Sequence, residues 1–188
     1  GDTYDEVINI TPQPQASVTI MDQKTGAIKA MVGGRGAKNS SLSLNRAYRG
    51  STRQPGSTFK ILAAYAPAID SCGKSLSTIV VDEPYKYKNG KNVKNASRSY
   101  KGGVTYRTAI ANSINVCAVK VSDEISQELG FEYCEKFGIS TLVKEKKTDA
   151  GVFSDINQTL ALGGVTDGVY NYELCAAYAT IANGGTYN

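Results

Sequence analysis

Histidine is absent from the 188 residues of this chain, and so is tryptophan. Without histidine, the chain cannot build a Ser-His-Asp or Cys-His catalytic arrangement, or a zinc site with two histidine ligands. Any nucleophile in this protein must therefore be activated by a lysine, by a carboxylate or by a helix terminus. Tyrosine is the main aromatic side chain, with 12 residues.

Cysteine is scarce, with residues only at positions 72, 117, 134 and 175. No Cys-x-x-Cys pair occurs, which excludes the usual zinc and redox motifs. Two disulfides in three connectivities are possible for four cysteines. We expect instead that the cysteines are unpaired and buried as small apolar side chains.

Long apolar runs are also missing. No segment approaches the roughly 18 apolar residues of a membrane-spanning helix, and no signal peptide opens the chain. Apolar residues make up 41% of the sequence, enough for the core of one domain. The net charge of +4 is too small to indicate a nucleic-acid or membrane partner by itself.

The chain divides near its start. Residues 1–15 are polar and are expected to be a linker, and residues 16–188 form the domain. Two β-prone runs within 16–32 flank a turn that ends at Gly26, which predicts a hairpin. Helices are predicted over 57–66, 105–112, 115–129, 131–137, 156–164 and 171–182, and a long loop over 82–103. Pro67 is expected to kink the end of the first helix.

A Ser-x-x-Lys pattern opens the first predicted helix. Residues three apart share a helix face, so Lys60 can approach the Ser57 hydroxyl and, as a neutral amine, accept its proton. The helix N-terminus and the apolar neighbours of Lys60 both favour the neutral amine. The second copy of the pattern, Ser71 to Lys74, leaves a helix and contains Gly73, which breaks the geometry. In isolation the pattern is also typical of a capping serine beside a solvated lysine.

A second pattern, Ser113-Ile114-Asn115, lies at the junction between two predicted helices. There the serine can relay a proton, and the asparagine offers a donor and an acceptor to a substrate amide. Both residues are also ordinary helix caps, and the same pattern occurs at 43–45. The Lys-Thr-Gly sequence at 24–26 falls in the hairpin turn, and we interpret it as turn chemistry.

The predicted loop over 82–103 is strongly basic. Its cations are Lys86, Lys88, Lys91, Lys94, Arg98 and Lys101, with no acidic residue between the first and the last. Interleaved tyrosines make single-stranded nucleic acid one possible partner, and an anionic cell-surface polymer another. We favour a solvated loop.

Together these segments resemble the transpeptidase domain of penicillin-binding proteins, most closely that of class A members. The matching segments are the hairpin at 17–34, residues 44–47, residues 53–60 (Arg-Gln-Pro-Gly-Ser-Thr-Phe-Lys), the second-motif segment at 103–116, and the helices at 160–164 and 176–185. The similarity runs through residues 16–188 in matching order. Each motif is short, and the ordered set is specific.

The resemblance implies an α+β fold of the penicillin-binding protein and serine β-lactamase type. It implies a D,D-transpeptidase that cross-links peptidoglycan stem peptides and is acylated by β-lactam antibiotics. Ser57 would form the acyl-enzyme, Lys60 would deprotonate it, and Ser113 would relay a proton to the leaving amine. Asn115 would hold the amide of the donor peptide. No metal or cofactor is implied.

The family also implies features outside this chain. Class A members carry a glycosyltransferase domain and a membrane anchor, which would place the parent protein at the extracytoplasmic face of the cell membrane. In the family, Lys-Thr-Gly follows the other motifs on a central strand, whereas here it precedes them. We therefore expect the chain to stop before the true motif and to comprise the helical part and the N-terminal hairpin, without the later sheet strands.

This departure has a catalytic consequence. Loss of one oxyanion donor alone costs about 10²–10³ in rate, so we expect the chain alone to be inactive. A second polypeptide is the candidate to complete the sheet. The alternatives are a serine β-lactamase or D,D-carboxypeptidase, for which no clear deacylating base is present, and a non-catalytic sensor or scaffold with the same fold.

Overall fold

The structure is a computed structural model that describes residues 14–36, 43–48 and 50–187. The strands in these residues are β1 (Val18–Met21), β2 (Ile28–Val32), β3 (Ile79–Asp82), β4 (Tyr85–Lys86), β5 (Asn92–Val93), β6 (Gly102–Thr105), β7 (Lys146–Thr148) and β8 (Gly151–Phe153). The α-helices are α1 (Ala66–Ser71), α2 (Tyr106–Ala111), α3 (Asn115–Ile125), α4 (Gln127–Lys136) and α5 (Asn171–Ala182). The strands pair as antiparallel couples: β1 with β2, β3 with β6, β4 with β5, and β7 with β8.

The predicted N-terminal hairpin is confirmed as β1 and β2, with Val18 opposite Val32. The turn between them ends at Gly26, whose φ of 69° lies in the left-handed region that glycine adopts easily. One face of the hairpin contacts α5, where the Thr19 hydroxyl donates to Asn171 Oδ1 at 2.6 Å. Valine and isoleucine side chains on the other face are about half exposed.

The helix predicted after Pro55-Gly56 is present. It starts as a tight 3-10 turn at Gly56–Thr58, passes through a wide π-helical turn at Ile61–Tyr65 and continues as α1. Pro67 lies inside this helix, which continues to Ser71. Because the wide turn precedes it, Pro67 lies in the first turn of the α-helical segment, where its missing N–H is tolerated.

This helix lies between two buried clusters. Ala64, Tyr65 and Ala68 belong to a cluster shared with α2 and α3. Phe59 and Leu62 belong to a second cluster shared with α4 and the chain around residue 160. Because close-packed interiors resist displacement, the helix is held firmly on both sides.

The single helix predicted over 115–129 is broken in the structure. α3 ends at Ile125, and Ser126 adopts a φ of 76° and caps α4 by accepting a hydrogen bond from Leu129 N at 3.3 Å. Gly130 follows the predicted helix over 115–129 and was expected to end it. In the structure Gly130 lies within α4. A Cβ at Gly130 would lie 2.3 Å from the Ala63 carbonyl oxygen, so this glycine allows two helices to approach closely.

The structure differs from the sequence predictions at three other places. Residues 82–103 are not one loop: they contain the β4–β5 hairpin, with a turn at 89–90, and the start of β6, which pairs with β3. The predicted helix over 156–164 is only a 3-10 turn at Leu160–Leu162. The β7–β8 hairpin was not predicted. The helices over 105–112 and 171–182 are confirmed as α2 and α5.

The four cysteines are unpaired, as expected. Cys117 and Cys134 are buried, Cys175 is partly buried, and Cys72 is exposed. The expectation of burial is therefore wrong for Cys72, which follows the last residue of α1, where the chain leaves the core. Within residues 14–36, 43–48 and 50–187, no helix is long and apolar enough to cross a membrane.

Candidate active site

Ser57 lies in the 3-10 turn that begins the central helix, and its side chain is exposed. Thr58 tightens this turn by donating its hydroxyl to the Pro55 carbonyl at 2.7 Å. Among the residues that the structure describes, none hydrogen-bonds to the Ser57 hydroxyl. The hydroxyl is therefore open to a substrate.

Lys60 lies one turn further on and is 3% exposed. Its Nζ donates to Ser113 Oγ at 2.8 Å, to the Ser113 carbonyl oxygen at 2.5 Å and to Asn115 Oδ1 at 2.6 Å. The structure thus brings three of the four predicted site residues into direct contact. Ser57 lies on the adjoining turn and has no direct hydrogen bond to Nζ.

Burial lowers the pKa of Lys60 from 10.5 to about 8, because the ammonium loses its hydration, and the nearby Cys117 thiol partly opposes this shift. An amine with a pKa of about 8 is partly neutral at physiological pH, which a general base requires. The apolar neighbours of Lys60 were expected to have this effect. Phe59 and Leu62, both fully buried, flank it in the sequence.

Ser113 joins α2 to α3 in an unusual backbone conformation, with a φ of 50°. Backbone hydrogen bonds from Ser113 N to Ile110 O and from Ile114 N to Ala109 O, both 3.0 Å, hold this connection. The left-handed conformation is uncommon for residues other than glycine and is frequent at functional sites. It allows both oxygens of Ser113 to contact Lys60.

Asn115 is the first residue of α3, and its side chain bridges two segments. Its Oδ1 accepts from Lys60, and its Nδ2 donates to the Lys94 carbonyl oxygen at 2.7 Å. The basic segment, residues 86–101, therefore contacts the site directly. The interpretation of this segment as a solvated loop did not predict that contact.

Two buried polar residues missed by the sequence analysis support this contact. Asn95 donates to Asp82 Oδ1 at 2.8 Å, and its Oδ1 accepts from Val116 N at 3.1 Å. Asp82 Oδ2 also accepts from Lys101 N at 2.9 Å. These bonds attach the basic segment to the start of α3. No sequence pattern marks the pair, because both residues fall in a stretch that looks like a polar loop.

The segment before Ser57 is also held by residues distant in sequence. The Gln54 side chain pairs with the Val165 backbone, donating to its oxygen at 2.5 Å and accepting from its nitrogen at 3.0 Å. A Cβ at Gly163 would lie 2.2 Å from the Gly56 carbonyl oxygen, so glycine is needed where these segments meet. The paired glycines at 163–164 were the available sequence signal.

The patterns that were set aside lie outside this site. Ser71 bonds to the Tyr133 hydroxyl, and Lys74 forms an ion pair with Glu124. The Lys-Thr-Gly sequence at 24–26 forms the β1–β2 turn, as expected. In the part of the chain that the structure describes, no group of three acidic or cysteine side chains is arranged to hold a metal ion.

The exposed serine at the start of the central helix, the buried lysine one turn later and the Ser-x-Asn pair lie together in one site. Residues 16–188 match the family of the penicillin-binding protein transpeptidase domain. The chain therefore belongs to this family, and the predicted family membership is confirmed.

The relatives are class A proteins, as the resemblance implied. Penicillin-binding protein 1A of Clostridium tetani is 38% identical over 180 residues, which is 92% of this chain and 22% of the relative. Penicillin-binding protein 1A/1B of Bacillus subtilis is 30% identical over 191 residues, covering 100% of this chain and 19% of the relative. The chain thus spans about a fifth of the length of these relatives.

Solved structures of penicillin-binding proteins have a similar fold. Penicillin-binding protein 1A from Haemophilus influenzae has a TM-score of 0.72 and 28% identity, covering 92% of this chain and 24% of that one. PonA1 from Mycobacterium tuberculosis has a TM-score of 0.74, covers 93% of this chain and 44% of that one, and, at 22% identity, supports the fold alone. The expected α+β fold is confirmed. Four strand pairs, rather than the N-terminal hairpin alone, accompany the helices in the described residues.

Proposed function

We propose that this chain is the nucleophile-bearing part of a peptidoglycan D,D-transpeptidase, in which Ser57 forms an acyl-enzyme. The observation that carries the proposal is the position of Lys60. It is buried, has a lowered pKa, lies one turn after an exposed serine, and contacts Ser113 and Asn115. Histidine is absent from the chain, and of the four residues Ser57, Lys60, Ser113 and Asn115 only the lysine has a side chain basic enough to serve as the base.

In the first half-reaction, Ser57 Oγ attacks the carbonyl carbon between two terminal D-alanines while Lys60 Nζ takes the hydroxyl proton. The C–N bond then breaks, and the departing amine of D-alanine takes up a proton. The resulting ester is attacked by an amine of a second stem peptide, which releases Ser57 with its hydroxyl restored. β-Lactams would acylate the same oxygen.

Ser113 is the proposed proton relay because of its contacts. The three oxygens around Nζ match the three protons of an ammonium group. When Lys60 is neutral, its lone pair needs a donor, and of these three oxygens only Ser113 Oγ carries a proton to give. Asn115 keeps one N–H and one lone pair beyond its contacts with Lys60 and Lys94, and these are proposed to hold a substrate amide.

The activity is proposed to need partners. The parent protein would carry a glycosyltransferase domain and sit at the extracytoplasmic face of the cell membrane, as class A relatives suggest. The Lys-Thr-Gly sequence at 24–26 forms a hairpin turn, so it does not take the place of the motif that follows the others in the family. We therefore propose that this chain alone turns over little substrate. A further polypeptide segment would complete the sheet, and the half-exposed apolar side chains Val18, Ile20 and Val32 support an additional packing surface there. Nucleic acid is not proposed as a partner.

Intact mass after incubation with benzylpenicillin, followed by peptide mapping, tests the proposal. We expect one adduct on Ser57 in the full-length protein, none in Ser57→Ala, and an unchanged adduct in Ser71→Ala, the matched control in the other Ser-x-x-Lys pattern. No adduct in the full-length protein would overturn the proposal in favour of a non-catalytic sensor or scaffold. Rapid hydrolysis of the adduct would indicate a β-lactamase.

A further inference from the structure

The basic segment lies directly against the residues that carry the second motif. The Lys94 carbonyl oxygen accepts from Asn115 Nδ2 at 2.7 Å, and Asn95 Oδ1 accepts from Val116 N at 3.1 Å. A shift of the backbone at 94–95 would therefore disturb the start of α3. The surface formed by this segment is adjacent to the proposed acylation site.

This surface contains a cleft of about 460 Å3, which is lined by Lys94, Asn95, Arg98 and Tyr100. Asn95 is buried and fixed by Asp82, so the floor of the cleft is rigid. Arg98 N donates to the Asn95 carbonyl at 3.1 Å, and the φ of Arg98 is 55°. A left-handed arginine on an exposed turn costs conformational energy, which points to a role for this geometry.

The two cations of the cleft are uncompensated. In the part of the chain that the structure describes, the side chains of Lys94 and Arg98 make neither a hydrogen bond nor an ion pair. By contrast, the Lys88 ammonium donates to Gln127 Oε1 at 2.9 Å. Asp82, the acidic residue that accepts a hydrogen bond from Asn95 in the floor of the cleft, is 1% exposed. Both of its carboxylate oxygens already accept N–H groups. The cleft is therefore positively charged and open to an anion.

We propose that this cleft is a subsite for a side-chain carboxylate of the donor peptide, distinct from the carboxylate at its D-alanine end. Arg98 would hold the carboxylate through its planar pair of N–H groups, with Lys94 as a second charge and Tyr100 as the wall. This inference rests on the proposed function, since it requires a peptide extending from Ser57. The contact of Lys94 with Asn115 favours a peptide over a nucleic acid.

The test compares two peptides, acetyl-D-Glu-L-Lys-D-Ala-D-Ala and its counterpart with D-Gln in place of D-Glu, binding to the full-length protein. We expect the D-Glu peptide to bind about fivefold more tightly, as for one exposed ion pair. Arg98→Gln and Lys94→Gln should each reduce this preference. Lys91→Gln, an equal loss of charge within residues 86–101 but outside the cleft, should keep it. The altered side chains make no hydrogen bonds, so these variants should fold, which thermal denaturation checks.

Equal affinities for the two peptides, or no measurable binding of the D-Glu peptide, would overturn the subsite. An equal loss of preference in Lys91→Gln would overturn it as well, because that result indicates diffuse attraction. So would salt-sensitive binding of a short oligothymidylate that is lost in Arg98→Gln, since it assigns the cleft to nucleic acid. Acylation by benzylpenicillin is measured in parallel: failure there alone refutes the proposed function, and failure of the peptide preference alone refutes the subsite.

Discussion

Raising the pH from 7 to 9 should deprotonate most of the Lys60 ammonium groups. With a pKa of about 8, the neutral fraction of Lys60 rises from about a tenth to about nine tenths over this range. If the neutral amine is the base, acylation of the full-length protein by benzylpenicillin should accelerate about tenfold. The rate should level off above pH 9.

The same shift fixes the sign of a stability change. The pKa of Lys60 is lower in the folded state than the 10.5 of the unfolded chain, so the unfolded state binds more protons between pH 8 and 10.5. This destabilises the folded protein by roughly 3 kcal/mol below pH 8. The penalty is lost as the pH rises to 10.5. Between pH 8 and 10 the free energy of unfolding should therefore rise by about 2 kcal/mol relative to Lys60→Met.

NMR of isotope-labelled lysine side chains gives the direct assay. One resonance should titrate near pH 8 and be missing in Lys60→Met. A Lys60 midpoint above about 10 in folded, penicillin-reactive protein would refute the argument from burial. A flat acylation profile with a midpoint near 8 would show that Lys60 is not the base.

Three other changes have expected outcomes. Gly163→Ala should slow acylation by penicillin and cost more than about 2 kcal/mol of unfolding free energy, because its Cβ would lie 2.2 Å from the Gly56 carbonyl oxygen. Gly90→Ala, which has open space around it, should cost only about 1 kcal/mol, and equal losses in denaturant titrations would contradict this. Asp82→Ala should cost about 2–4 kcal/mol because two N–H donors lose their acceptor, and an unchanged denaturation midpoint would disprove it. Iodoacetamide should modify exposed Cys72 first in native protein, and mass mapping that finds the buried thiols equally reactive would count against the fold.

The sequence predicts the parts of the fold that depend on local chemistry. The β1–β2 hairpin, α2 and α5 have clear apolar patterns with glycine or threonine at their ends, and they form as expected. The α3–α4 break was missed because it depends on Ser126, a residue type that is ordinary in helices. Gly130 looked like a helix end, and its purpose appears only when α4 is packed against the Ala63 carbonyl oxygen.

The candidate site divides in the same way. Ser57, Lys60, Ser113 and Asn115 could be proposed from the sequence because short motifs carry their chemistry, and the structure brings the last three into contact. The supports could not be found, since Asp82 and Asn95 act through a contact across the fold, and strands of two to four residues carry too little alternation to be recognised. Their role depends on tertiary geometry that no local spacing encodes.

The π-helical turn at Ile61–Tyr65 makes the central helix one residue longer than a regular α-helix over the same rise. Each residue of an α-helix turns the chain by about 100°. Deleting one residue from this turn would thus restore regular hydrogen bonding and, at the same time, rotate Ser57 and Lys60 by about 100° relative to α1. The irregular turn therefore sets the rotation of Ser57 and Lys60 about the helix axis, and a fully regular helix here would be incompatible with the observed arrangement of the candidate site.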